Sequence, residues 1–111
     1  MATRSTIGYE TPEGGYIGVY CHYDGYPDNI APQLKQMSWE EVSLQVNRAL
    51  LQGGGRCLDN CELETFNETC RPDQWLTDKW PSCPESYAYR KRLDGTVECY
   101  DGDSYYDISA F

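Results

Sequence analysis

Apolar and polar positions alternate near the start of the chain. Across Arg4 to Glu10, Ser5, Ile7 and Tyr9 fall on one side and Thr6 and Gly8 on the other, the period of two expected of a strand. Thr11-Pro12-Glu13-Gly14-Gly15 interrupts the pattern with residues suited to a tight reversal. Tyr16 to His22 resumes it with aromatic and β-branched residues, so the first two segments predict a hairpin. Asp24-Gly25 and Pro27-Asp28-Asn29 then break the strand. Asp28 or Asn29 would cap a short helix over Ile30–Met37, with Pro32 tolerated in its first turn and Ile30, Leu34 and Met37 on one face. Ser38-Trp39-Glu40-Glu41 has the form of a capping box, the hydroxyl taking one orphan amide and Glu41 reaching back to another. The helix behind it, Trp39 to Gln52, aligns Trp39, Val42, Val46, Ala49 and Leu50 on one stripe and ends at Gly53-Gly54-Gly55.

From Arg56 to Glu85 neither period is present, and this stretch holds four of the six cysteines. A loop of that length needs something to hold it: its Trp and Phe rings, a short helix near Gln74 to Lys79, a metal or a disulfide. Alternation returns at Ser86, with Tyr87 and Tyr89 on one side. Leu93-Asp94-Gly95-Thr96 is a hairpin turn, Thr96 to Tyr100 pairs back, and Asp101-Gly102-Asp103 leads to a last strand over Ser104 to Ile108. The order β-β-α-α-loop-β-β-β predicts an α+β fold, an antiparallel sheet with helices on one face. Its 111 residues form a single domain, 1–111, in which 57–85 is an irregular Cys-rich insertion.

Composition changes this picture in two ways. The mean hydropathy of −0.70 is polar, yet ten tyrosines and three tryptophans point to a folded core built on aromatic rings. Eighteen acidic against nine basic side chains leave a net charge of −9, which disfavours phosphate-rich nucleic acid and anionic lipid and suits basic partners. Met1-Ala2-Thr3-Arg4-Ser5 carries no apolar leader and no run is long enough to span a membrane, so a cytoplasmic protein with mostly reduced thiols is expected.

The richest chemistry lies in Tyr20-Cys21-His22-Tyr23-Asp24-Gly25-Tyr26-Pro27. Cys21, His22 and Asp24 are the residue types of a thiol hydrolase, but neighbours along a strand point to opposite faces, which separates Cys21 from His22. No catalytic residue is expected. Tyr20, His22, Tyr23, Asp24 and Tyr26 are instead candidates for ligand or partner contact, because binding sites combine aromatic walls with a few polar groups. Asp101, Asp103 and Tyr105 join them through the acidic closing segment, in which Asp94, Glu98, Asp101, Asp103 and Asp107 have no base after Arg92. Arg90-Lys91-Arg92 reads as cross-strand charge pairing. No cofactor motif is present beyond the cysteines. Cys57, Cys61, Cys70 and Cys83 could hold zinc, although only the first pair has the usual spacing; one or two disulfides, or free buried thiols, are the other readings.

Arg4-Ser5-Thr6-Ile7, the octapeptide Tyr20 to Pro27, Tyr87-Ala88-Tyr89 and Asp101-Gly102-Asp103-Ser104-Tyr105-Tyr106 together resemble a family of small uncharacterised proteins encoded by tailed phages and prophages. That family has Trp where Tyr23 stands and lacks the Cys-rich segment. The resemblance covers residues 4–37 closely and 86–108 loosely. It implies a phage or prophage origin and the α+β fold, and carries no catalytic or binding residue. The expectation is a non-enzymatic accessory protein that binds a host or phage protein, such as a defence component, or a small signalling ligand. A zinc-stabilised adaptor and a minor virion component are the alternatives.

Overall fold

The structure, a computed structural model, describes residues 3–65 and 87–100 and the backbone of residues 105–107. It is α+β. The strands are β1 (Ser5–Glu10), β2 (Tyr16–Cys21), β3 (Gly55–Asp59), β4 (Glu62–Thr65), β5 (Tyr87–Lys91), β6 (Val97–Tyr100) and β7 (Tyr105–Asp107), and the helices α1 (Pro27–Gln36) and α2 (Trp39–Leu50) fall between β2 and β3. The seven strands form one sheet in the order β4-β3-β2-β1-β5-β6-β7. The sheet is mixed, where a purely antiparallel one was expected: β1 runs parallel to β5, and β2 parallel to β3 at Cys21 and Gly55. The cause is connectivity. A chain that leaves β2 through two helices returns beside it in the same direction, as crossover connections do.

A second correction concerns residues 57–85, expected to be irregular from their first residue. Residues 55–65 form the hairpin β3–β4, reversed over Asn60 and Cys61, which have φ of 52° and 60°. Two left-handed residues are what a two-residue hairpin turn needs. Each strand carries a single buried apolar side chain, Leu58 or Leu63, so the period of two never repeats within either. The helix expected near Gln74 to Lys79 lies outside the described residues.

Register explains the core. Ser5, Ile7 and Tyr9 of β1 stand opposite Cys21, Val19 and Ile17 of β2 on one side, and opposite Tyr87, Tyr89 and Lys91 of β5 on the other. This face carries the helices. Ile30 and Leu34 of α1 and Val42, Val46 and Ala49 of α2 are fully or almost fully buried against it. Tyr9 meets Trp39 edge-on at 5.7 Å between ring centroids and donates its hydroxyl to Asn47 Oδ1 at 2.8 Å, while Trp39 Nε1 donates to the Glu10 carbonyl at 2.8 Å. Buried Tyr9 and partly buried Trp39 thus keep partners for their polar atoms, and α2 is fixed along β1.

Both helices start where side chains supply the stop and start signals. Pro27 is the first residue of α1 after the extended Tyr26, its fixed φ being preorganised for that place. The helix therefore begins earlier than Ile30, and Pro32 lies inside it rather than in its first turn. Ser38 caps α2 as expected, accepting from Glu41 N at 3.1 Å, but the Glu41 carboxylate lies 3.4 Å from the Ser38 hydroxyl. Gly53 and Gly54, with φ of 85° and 90°, turn the chain away after Leu50.

Candidate functional site

The junction between β2 and α1 is built by backbone contacts from three directions. Beyond Cys21 the chain keeps pairing with β3, His22 N donating to Gly55 O at 3.0 Å and Tyr23 N to Arg56 O at 2.7 Å. Asp24 then takes a left-handed φ of 54°. Gly25 follows it with its amide on Thr3 O at 2.8 Å and its carbonyl accepting the buried Tyr89 hydroxyl at 2.7 Å. A Cβ at position 25 would lie 2.7 Å from both Ser5 side-chain atoms and from Thr3 O. The left-handed residue of the turn is therefore Asp24, and the glycine serves a close approach to the start of the chain. From α1, Asn29 Nδ2 donates to Asp24 O at 2.8 Å.

Behind the turn, Gln33 links α1 to the β3–β4 hairpin. Its Nε2 donates to Leu58 O at 2.9 Å and its Oε1 accepts from Cys61 N at 2.9 Å. Sequence reasoning assigned nothing to Gln33 and read Asn29 only as a helix cap. Their partners lie across a tertiary contact, so no local pattern marks them.

The side chains of the octapeptide divide between two faces. Cys21 is fully buried in the helix-facing row, where burial pushes its thiol up to about 11. Tyr20 and His22 belong to the opposite face, with the Tyr20 hydroxyl 2.5 Å from His22 Nδ1. The imidazole also meets the Tyr23 ring at 4.4 Å in a T-shaped arrangement. Thiol and imidazole do not converge, and a buried, protonated thiol is a poor nucleophile. What the junction presents outward is aromatic and acidic: Tyr23 and Tyr26 are each 42% exposed, and Asp24 and Asp28 are exposed carboxylates.

The remaining candidate residues are not all gathered here. Tyr105 is placed opposite Tyr100 on β7, the far edge strand, four strands from β2, or about 19 Å at ordinary strand spacing. Asp101 and Asp103 lie outside the described residues. In the same closing segment, Glu98 pairs with Arg90 at 3.0 Å and Arg92 at 3.6 Å, while Asp94 accepts from Thr96 N and Oγ1. These two acids are already engaged. Arg90 also lies over the Tyr16 ring at 4.4 Å. Cross-strand charge pairing is thus present for Arg90 and Arg92. It fails for Lys91, which alternation turns to the helix face, where its Nζ donates to Leu34 O at 2.8 Å.

Of the four cysteines considered for zinc, Cys70 and Cys83 lie outside the described residues. Cys57 directs its thiol to Asp24 Oδ2 at 3.8 Å and Cys61 directs its own to Gln33 O at 3.7 Å. Burial and the neighbouring Asp24 carboxylate push the Cys57 thiol up. Among the described residues Cys21, Cys57 and Cys61 are free thiols, and no group of three or more His, Cys, Asp or Glu side chains is placed to hold a metal ion. No helix among the described residues is long and apolar enough to cross a membrane. No protein-family model matches this chain, and neither a curated protein nor a solved structure matches it.

Proposed function

We propose that this chain is a phage- or prophage-encoded accessory protein that works by binding a basic host or phage protein, without turnover, through the junction between β2 and α1. One observation carries the reading. The turn Asp24-Gly25 is pinned by Thr3, Tyr89 and Asn29, yet Tyr23 and Tyr26 on either side of it keep 42% of their surface exposed. A fixed backbone that displays rings in solvent is preorganised for contact, and tyrosine offers area with little side-chain entropy to lose. Asp24 and Asp28 beside those rings match cationic groups, for which tyrosine faces add a cation–π attraction. The phage origin rests on the resemblance of the octapeptide and its flanking strands. Binding without chemistry is supported by the burial of Cys21 and by the separation of its thiol from His22.

The test is affinity capture from the host lysate, followed by titration of whatever partner is captured. Tyr23→Ala/Tyr26→Ala should lose that partner while keeping the wild-type circular dichroism spectrum. An unchanged set of captured proteins would remove the junction from the reading.

A further inference from the structure

The outer edge of β4 carries a second feature, independent of the junction. A two-residue hairpin makes its flanking residues, Asp59 and Glu62, exchange both backbone bonds, so at the next pair, Leu58 and Leu63, the N–H and C=O groups point away from each other. For Leu63 that direction is outward, because among the described residues β4 is the last strand of the sheet on its side. Such outward groups are the template on which another strand adds.

Here they are taken by side chains of α2. Leu63 N donates to Gln45 Oε1 at 3.2 Å, and Arg48 Nη2 donates to Leu63 O at 2.6 Å. Arg48 Nη2 also donates to Gln45 Oε1 at 2.7 Å, which ties the two side chains into one unit. One acceptor and one donor are thus offered to Leu63 in the places that a neighbouring strand would fill. Gln52, just past the end of α2, adds a further contact to β4, accepting from Thr65 Oγ1 at 2.9 Å.

We propose that Gln45 and Arg48 guard the β4 edge, keeping shut a surface that would otherwise pair with a second copy of this chain. The occupant follows from symmetry. Leu63 presents its own donor and acceptor side by side, so two copies related by a two-fold axis through Leu63 exchange both bonds, the self-complementary arrangement of an isologous contact. In that pairing Glu62 of one copy stands opposite Glu64 of the other. The like charges oppose it at neutral pH and form a second layer of protection, which salt screens.

The decisive readings are hydrogen exchange and mass. In the unmodified protein the Leu63 amide, although on an edge strand, should exchange about tenfold or more slowly than an unstructured amide. Exchange at the unstructured rate would mean that no guard exists. Gln45→Ala/Arg48→Ala, with unchanged circular dichroism, should reach twice the 12.7 kDa chain mass in sedimentation equilibrium at high protein concentration and about 1 M salt. The unmodified protein should show no such increase at the same concentration. A double variant that keeps the wild-type mass under all these conditions overturns the proposal. If the double variant does not fold, Gln45→Ala alone decides: faster Leu63 exchange supports the guard, and an unchanged rate refutes it.

Discussion

At the scale of single residues, two buried positions set the junction. Gly25 was legible as a turn residue, but not for the reason that matters. The left-handed conformation belongs to Asp24, and Gly25 is needed because Ser5 and Thr3 approach it from twenty residues away in the chain, which no local pattern reports. Gly25→Ala should cost about 1–3 kcal/mol of stability, the range of an overpacked site, read as a lower midpoint in urea unfolding. Cys21 makes a pH-dependent contribution. Its thiol is held above the ordinary value of 9.0, at about 11, so the folded chain keeps a proton that the unfolded chain releases. The resulting stabilisation, about 2–3 kcal/mol, is fully present below pH 9.0 and is lost as pH rises through about 11. Measured against Cys21→Ala, the wild type should therefore lose more stability over that window. Equal losses in the two proteins would show that the thiol plays no part.

At the scale of elements, what could be read depended on how often a signal repeats. Helix α2 has five stripe residues, a cap and a glycine stop, and it appears where expected. The hairpin β3–β4 has one buried side chain per strand and an Asn60-Cys61 turn in place of the usual Asn-Gly, so it was invisible. The start of α1 was misplaced because Pro27 was taken for a breaker when it serves as the first helical residue. Replacing Ser38 by Ala removes the oxygen that accepts from Glu41 N and should cost about 1 kcal/mol in thermal or urea unfolding. Lys91 ties β5 to the last turn of α1, where a positive group is favoured by the helix dipole. Burial nonetheless pushes its ammonium below the usual 10.5. A lysine lowered in this way is relieved when it deprotonates, so the wild type should gain stability over Lys91→Met as pH climbs towards 10.5, opposite in sign to the Cys21 effect. Parallel pH profiles would refute this.

At the scale of the whole molecule, acidity was legible from composition, whereas the distribution of the acids was not. Glu98 and Asp94 are spent on local partners, while Asp24 and Asp28 stand exposed at the junction. The separation of Tyr105 from the octapeptide was not legible either, because sequence order does not reveal strand order: β7 is the far edge. With a net charge of −9, association with a basic partner should be steered at long range. Its on-rate should fall as ionic strength rises from about 0.01 M to 0.15 M, where the screening length shrinks from about 30 Å to 8 Å. A rate indifferent to salt would argue for a contact made by the tyrosine rings alone.

The strand order also has a consequence for how the chain is made. β1 holds the middle of the sheet, between β2 and β5, and β5 is translated about 80 residues after it. One flank of the nascent β1–β2 ribbon therefore stays bare while the ribosome works through the helices and the hairpin. Over that interval the emerging polypeptide exposes at its centre the kind of naked border that chaperones and neighbouring nascent chains seize.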